Sequence, residues 1–248
     1  MDTEYKHKLG SPLFKKSKAV IVLSGGMDSS TLLYDLIQKW EMFPISFNYK
    51  QRHKIELEYA KKTAKKLGLV HKVIDISNVN QVMEGSSLTR KDIEVPEGHY
   101  EEENMKLTVV PNRNMIMLSI ATAYAVSIDA RTVFFGAHAG DHAVYPDCRQ
   151  DFIDKLTQVT QIANYVPVKI KAPYINLTKG QIAAIGKTLK VDYSLTHTCY
   201  KGQIIACGKC GACQERLEAF QFAKHIDPLK YVSKIKLEKK HETLRQEN

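Results

Sequence analysis

The sequence contains no apolar run near the roughly 20 residues needed to span a bilayer, so we expect no membrane segment. Its opening stretch, Met-Asp-Thr-Glu-Tyr-Lys, has no apolar segment behind it, and we therefore expect no signal peptide. Internal repeats and low-complexity tracts are also missing, which excludes a repeat protein. Together these absences predict a cytoplasmic protein.

The composition excludes a chain that is disordered throughout. With 44% hydrophobic residues, the 248-residue chain can bury a sizeable core, as one large α/β domain or as a domain with an appendage. A formal net charge of +9 would suit tRNA, a nucleotide substrate or solubility alone. Part of the excess lies near the ends, at Lys15, Lys16, Lys18, Lys230, Lys234, Lys236, Lys239 and Lys240. We interpret these lysines as solvated basic surface.

One segment near the N-terminus predicts a phosphate-binding turn. Residues 19–23 are apolar and predict a buried parallel strand. Gly25 and Gly26 follow and permit a tight turn. Residues 28–30, Asp-Ser-Ser, are good helix N-cap residues, and residues 31–40 predict the helix itself. Such a helix N-terminus offers free N–H groups and a positive dipole end to a phosphate.

The same turn is not a Walker A loop, because it lacks a Gly-Lys-Ser/Thr sequence. A generic strand–helix turn is the alternative. Its Ser-Gly-Gly-Met-Asp-Ser core, residues 24–29, resembles the SGGxDS loop of the PP-loop ATP pyrophosphatases. That resemblance implies cleavage of ATP between the α- and β-phosphates and adenylation of a substrate. It also implies ATP contacts at Leu23, Ser24, Gly25, Gly26, Met27, Asp28, Ser29, Ser30, Thr31, Leu32 and Leu33.

Strand and helix patterns then alternate. Strands are predicted at 43–49 and 70–76, with a helix between them that ends at Gly68. This alternation predicts a doubly wound, mainly parallel sheet, whose ligands bind at the carboxyl ends of the strands. Further strands are predicted at 132–135 and 169–172, and further helices up to 128, at 151–164 and at 178–189.

Three segments that follow strands carry polar groups. The polar stretch 77–106 predicts a lid. Asn112 or Asn114 can cap the next helix, and Arg113 then lies at a helix N-terminus, where a cation is favourable only beside an anion such as phosphate. For residues 136–142, which follow the fourth strand, a site role and ordinary loop solvation remain open.

Four of the five cysteines lie close together late in the chain. Cys207, Cys210 and Cys213 form a Cys-x-x-Cys-x-x-Cys array, and Cys199 supplies a fourth thiol. Four thiolates fit a closed tetrahedral zinc site that stabilises the fold locally. An iron–sulfur cluster uses the same ligands and is the alternative. The fifth cysteine, Cys148, stands alone.

Several motifs carry a closer resemblance, which spans residues about 19 to 231. Beside the PP-loop and the cysteine array, they are Gln-Arg-His at 51–53, Pro111 with Arg-Asn at 113–114, Tyr-Pro-Asp-Cys-Arg at 145–149 and Thr-Cys-Tyr at 198–200. In this combination the chain resembles the QueC family of 7-cyano-7-deazaguanine synthases. It departs from the family pattern at Lys50 and Asn112, where the family commonly has glycine.

The resemblance implies an activity and a set of roles. The chain would convert 7-carboxy-7-deazaguanine and ammonia to the nitrile, using ATP, through an adenylated carboxylate and an amide. Ser24, Asp28 and Arg113 would be catalytic, with Mg²⁺ bound alongside ATP. The substrate would contact Arg52, His53, Asp141 and Asp147, and a structural zinc would bind Cys199, Cys207, Cys210 and Cys213. Free ammonium is the expected nitrogen source, tRNA contact is not expected, and a homodimer is left open.

The predicted organisation has four parts: a flexible lead-in at 1–17, an ATP-binding α/β domain at 18–195, a zinc-binding helical segment at 196–231 and a basic tail at 232–248. Three other functions remain open. The chain could be a tRNA-modifying PP-loop enzyme, a related enzyme that attaches the deazaguanine to another acceptor, or a zinc-stabilised nucleotide-binding adaptor without catalysis.

Overall fold

The computed structural model describes residues 16–99 and 103–232. A parallel five-stranded sheet forms its centre, with the strand order β3-β2-β1-β4-β5. The strands are β1 (Lys18–Val22), β2 (Glu41–Asn48), β3 (Lys72–Asp75), β4 (Thr132–Phe134) and β5 (Lys169–Lys171). This topology confirms the predicted doubly wound α/β class. Within the two described ranges, no helix is both long and apolar enough to cross a membrane.

Helices cover both faces of the sheet. They are α1 (Met27–Leu36), α2 (Glu56–Lys66), α3 (Arg113–Ser127), α4 (Gln150–Ile162), α5 (Lys179–Thr188) and α6 (Gly211–Phe222). Alternate residues of β1 face opposite sides, as the pleat requires. Ile21 packs into a core shared with α1, α2 and α5, whereas Val20 packs into a larger core shared with α3 and α4.

The predicted start of α1 is wrong in detail, whereas the predicted start of α3 is correct but lacks the expected side-chain cap. Helix α1 begins at Met27 with Gly26 at the N-cap, so residues 28–30 lie inside the first turn and do not cap it. Helix α3 begins at Arg113, and the Asn112 side chain makes no cap hydrogen bond. The carboxylate of Asp147 accepts the Asn114 N–H instead, at 3.1 Å, so α3 is capped from a distant loop.

Both departures from the family pattern adopt the left-handed backbone conformation that favours glycine. Lys50 has φ +62° and Asn112 has φ +55°. Asparagine adopts this backbone region more readily than most residues, whereas lysine pays the full steric cost of its Cβ there. The turn after β2 therefore keeps a glycine-like shape despite its lysine.

The segment predicted as a lid is part of the core. Met83, Leu88 and Met105 are buried in the cluster beneath α3. None of its described residues, 77–99 and 103–106, lines the central cavity. The lid prediction is therefore wrong for the part of the segment that the structure describes.

The cysteine-bearing segment packs onto the sheet domain through α6. Arg216 of α6 is fully buried and forms a bidentate ion pair with Asp227. Its Nε lies 3.0 Å from Oδ2 and its Nη2 lies 2.9 Å from Oδ1. Its guanidinium also donates to Thr196 and Thr198, at 2.8 and 3.0 Å. The boundary predicted at residue 196 stays a prediction. The lead-in, apart from residues 16 and 17, and the basic tail, apart from residue 232, lie outside the described residues.

Candidate functional site

A cavity opens at the carboxyl ends of β1, β2 and β4, where the fold predicts a ligand. The loop after β1 forms its floor, and the start of α3 and the loop after β4 form its sides. Of the predicted site residues, the lining includes Leu23, Ser24, Gly26, Asp28, Ser29, His53, Arg113 and Asp141. Gly25, Met27, Ser30, Thr31, Leu32 and Leu33 lie outside this lining and support the loop from below.

Serine hydroxyls hold the loop after β1 in shape. The Oγ atoms of Ser24 and Ser29 lie 3.0 Å apart, and Ser24 Oγ also accepts the Gly26 N–H at 3.2 Å. Gly25 has φ +90°, and helix α2 passes so close that a Cβ there would overlap the carbonyl oxygen of Glu56. The loop is thus a preformed turn that no other residue type fits at Gly25.

A buried ion network lies beside the first turn of α1. Lys179 Nζ is 3.4 Å from Asp28 Oδ2 and 2.5 Å from Glu215 Oε2. Lys179 exposes only 7% of its side chain. The second carboxylate oxygen of Asp28, Oδ1, is buried and has no hydrogen-bond partner in the described part of the chain. A carboxylate oxygen without a hydrogen-bond partner in the described residues and a buried lysine therefore adjoin the glycine turn after β1.

The network continues into the loop after β4. His138 Nδ1 accepts the Gly140 N–H at 3.1 Å, so the proton of the neutral ring lies on Nε2. That nitrogen lies 3.5 Å from Asp141 Oδ1 and 3.8 Å from Glu215 Oε1. Asp141 Oδ2 accepts the backbone N–H of His138 at 3.1 Å. Both oxygens of Asp141 thus face His138.

Aromatic and titratable groups form the opposite side of the cavity. Arg113 lies over the ring of Tyr145, 5.8 Å from its centroid. Burial raises the pKa of Tyr49 to about 12, although the nearby Arg113 opposes the shift. Burial also raises the pKa of Glu56 to about 8 and lowers that of His53 to about 3, so both side chains are largely neutral near pH 7 before a ligand binds.

Two predicted substrate residues lie elsewhere. Arg52 donates to the backbone carbonyls of Arg90 and Ile93, at 2.6 and 2.8 Å, and holds that loop against the turn after β2. Asp147 caps α3, and neither residue lines the cavity. The sequence analysis assigned no role to Glu56, Lys179, His197 and Tyr200, which do line it, nor to Glu215. The Thr–Gln capping box that starts α5 offers a sequence signal for Lys179, since it places that residue in the first helical turn.

Cys148 also lines the cavity but does not resemble a nucleophile. Its Sγ accepts the side-chain N–H of Asn114 at 3.3 Å. Burial raises the pKa of this thiol well above its usual value. A thiol that stays protonated is a weak nucleophile.

The four clustered cysteines form a closed site away from the cavity floor. All four are buried, and their sulfur atoms lie within 4.8 Å of one another. Backbone N–H groups of Lys209 and Cys210 donate to Cys207 Sγ, at 3.4 and 3.3 Å, as they would to a thiolate. None of the five cysteines, all of which lie in the described residues, forms a disulfide. The cluster can therefore hold a metal ion.

The fold and this cavity define a PP-loop nucleotide-binding enzyme, in which a glycine turn after β1 and the start of α1 hold the nucleotide's phosphates. A family model described as "Queuosine biosynthesis protein QueC" matches residues 18–224, and the chain belongs to this family. The predicted resemblance is confirmed.

Three curated relatives carry the same name, 7-cyano-7-deazaguanine synthase. The protein of Hahella chejuensis is 56% identical over 218 residues, which cover 88% of this chain and 94% of the relative. That of Pseudoalteromonas translucida is 55% identical over 86% of this chain and 98% of its own. The protein of Methanoregula boonei is 54% identical over 215 residues, which cover 86% of this chain and 99% of the relative.

Proposed function

We propose that this chain is an ATP-dependent 7-cyano-7-deazaguanine synthase that takes free ammonium as its nitrogen source. One observation carries the proposal: a single cavity joins the PP-loop, a buried lysine–carboxylate pair and a side lined by Arg113 and aromatic rings. The relatives' shared name supports the substrate, 7-carboxy-7-deazaguanine. Queuosine biosynthesis is the context that the family provides.

The chemistry needs activation before nitrogen can enter. A carboxylate cannot expel oxide, so its oxygen must first attack the α-phosphate of ATP, which breaks the α–β bond and releases pyrophosphate. Ammonia then displaces AMP and gives the amide. A second activation of the amide oxygen, followed by loss of AMP and protons, leaves the nitrile. Catalysis of this kind rests on positioning and on stabilisation of phosphate charge.

Residues in different parts of the cavity would bind the phosphates, hold the metal ion and neutralise charge. The N–H groups of the turn and the hydroxyls of Ser24 and Ser29 would hold the phosphates. Asp28, whose Oδ1 has no partner in the described residues, would help hold the Mg²⁺ that accompanies ATP. Lys179 and Arg113 would neutralise phosphate charge from two sides. Their roles are proposals.

We assign zinc to the cysteine cluster, because four buried sulfurs match a closed structural site and no other side chain of residues 16–99 and 103–232 joins the group. Metal analysis of protein purified without added metal is expected to give about one zinc per chain and no visible absorption from iron–sulfur charge transfer. Cys213→Ser should lower both the zinc content and the midpoint of thermal unfolding. Iron with labile sulfide at that stoichiometry would contradict the assignment.

The decisive test of the function is product analysis. Purified protein incubated with ATP, Mg²⁺, ammonium and 7-carboxy-7-deazaguanine is expected to form the nitrile, detected by mass spectrometry, with AMP and pyrophosphate. Exchange of labelled pyrophosphate into ATP should depend on the acid, which separates this enzyme from a non-catalytic adaptor. If the deazaguanine appeared only on an added tRNA or protein, the chain would instead attach it to another acceptor.

Three further assignments concern the cellular location, tRNA binding and oligomeric state of the protein. Five cysteines outside any disulfide are typical of a reducing compartment and support a cytoplasmic location. The net charge of +9 suits a nucleotide substrate as well as tRNA, so we do not expect tRNA contact, and retention on immobilised tRNA at moderate salt would contradict this expectation. A homodimer stays a prediction.

A further inference from the structure

The cavity has three acidic side chains in its lining, and two of them are already engaged. Asp28 faces Lys179 at 3.4 Å on the phosphate side. Asp141 directs both oxygens to His138, at 3.1 and 3.5 Å. The third is Glu56, at the start of α2.

Glu56 has the environment of a recognition group. Only 13% of its side chain is exposed. The amide nitrogen Nε2 of Gln51 donates to Oε1 at 3.2 Å, and His53 Nε2 lies 3.5 Å from the same oxygen. Among residues 16–99 and 103–232, no lysine or arginine forms an ion pair with it. Because burial raises its pKa to about 8, this carboxyl group is largely protonated in the free protein, and N–H donors of a bound ligand would stabilise the charged carboxylate in its place.

Two histidines beside Glu56 add further acceptors. His197 donates from Nε2 to the carbonyl of Gln203 at 2.9 Å, so its Nδ1 carries a lone pair. This nitrogen and His53 Nδ1 are buried without hydrogen-bond partners in the described structure. Both residues line the cavity. We call Glu56, His53 and His197 the acceptor wall.

Flat rings accompany the acceptor wall. The ring of His53 lies 5.7 Å from that of Tyr200 and 6.5 Å from that of Tyr49, measured between centroids, and all three residues line the cavity. A carboxylate beside aromatic rings suits a planar heterocycle with adjacent N–H donors on one edge. The guanine-like edge, with its N1–H and 2-amino group, has that form.

We infer that Glu56 accepts the N1–H and 2-amino donors of the deazaguanine acid, with His53 and His197 beside it. This inference rests on the proposed function and replaces the predicted roles of Asp141 and Asp147, which the structure engages elsewhere. It makes Glu56 the residue that distinguishes the guanine-like edge. Ammonium and the adenine amino group are the other donors that the same residues could bind.

The test compares Glu56→Gln with Glu58→Gln, a matched change at an exposed position of the same helix. Dissociation constants of the acid and of ATP are measured by calorimetry, and KM for ammonium by nitrile formation. The amide cannot accept two donors as a carboxylate does, so Glu56→Gln should weaken acid binding by about 10- to 100-fold. ATP affinity and KM for ammonium should change less than about three-fold. Glu58→Gln should change none of them.

A substrate analogue separates direct contact from a general disturbance. Without the 2-amino group, the acid should bind wild-type protein about 10-fold more weakly, whereas Glu56→Gln should bind both compounds almost equally. The inference would be overturned if removal of the 2-amino group weakened binding equally in the wild type and in Glu56→Gln. A Glu56→Gln variant that changed only ATP affinity or only the KM for ammonium would also overturn it. Absence of nitrile formation by the wild type would instead defeat the proposed function. Because glutamine carries no charge to bury, the variant is expected to stay folded, as its circular dichroism spectrum would verify.

Discussion

Gly25→Ala is expected to abolish acid-dependent pyrophosphate exchange and to destabilise the protein by more than about 3 kcal/mol. Two costs add up at this position. The backbone has φ +90°, which costs a residue with a side chain about 1–2 kcal/mol. The new Cβ would also overlap the carbonyl oxygen of Glu56 and lie 3.0 Å from the amide nitrogen of Ala60, both of them backbone atoms that cannot rotate away.

Gly68→Ala is the matched control for this prediction. Gly68 also has a left-handed backbone, with φ +68°, but nothing lies within 4 Å of its added Cβ. The Gly68→Ala variant should therefore lose only about 1 kcal/mol in its free energy of unfolding and keep its activity. Urea unfolding monitored by circular dichroism, together with ATP calorimetry, measures both effects. If the two variants had similar stability and similar ATP affinity, the close packing of α2 against the PP-loop at Gly25 would not be what fixes the loop.

The contact at Gly25 also explains how two parts of the cavity are linked. The Gly25 carbonyl accepts the N–H of His197 at 2.9 Å, while α2, which carries Glu56, approaches from the other side. The PP-loop glycine thus lies between two members of the acceptor wall. The proposed phosphate site at the turn and the proposed heterocycle site at the acceptor wall therefore share one rigid element.

Local patterns predict the frame of this protein well. Apolar runs at 19–23 and 132–135 mark the central strands, because strands buried on both faces need continuous apolar sequence. The PP-loop motif and the cysteine spacing predict two sites, because each depends on residues close in sequence. The lid at 77–106 is wrong, since a polar segment can still bury a few apolar residues such as Leu88.

The site residues that escaped prediction belong to long-range contacts. Asp147 looks like a substrate ligand in sequence but caps α3 by accepting the N–H of Asn114, 33 positions earlier in the chain. Lys179 and Glu215 are ordinary helix residues until α5 and α6 pack together and bring them within 2.5 Å. Glu56 lies in a stretch of charged residues and gains its character only from burial beside the cavity. Apart from the capping box that places Lys179 in the first turn of α5, none of these contacts leaves a local sequence pattern.

The buried ion pair of α6 yields the second large prediction. Arg216→Met is expected to destabilise the protein by about 3–5 kcal/mol, because it leaves Asp227, only 4% exposed, as a buried charge with the hydrogen bonds from Leu229 and Tyr231 but without its ion-pair partner. The same guanidinium holds Thr196 and Thr198, and Thr198 lines the cavity. Activity should therefore fall even at temperatures where the variant remains folded.

A double variant and a surface control decide whether the uncompensated charge is the cause. Arg216→Met with Asp227→Asn should recover part of the lost stability, since it removes the unpaired carboxylate. Arg90→Met breaks an exposed pair with Asp92 and should change stability little. Equilibrium urea unfolding of the zinc-loaded proteins provides all three values. A double variant no more stable than Arg216→Met would show that packing and the threonine contacts, rather than the buried charge of Asp227, account for the loss.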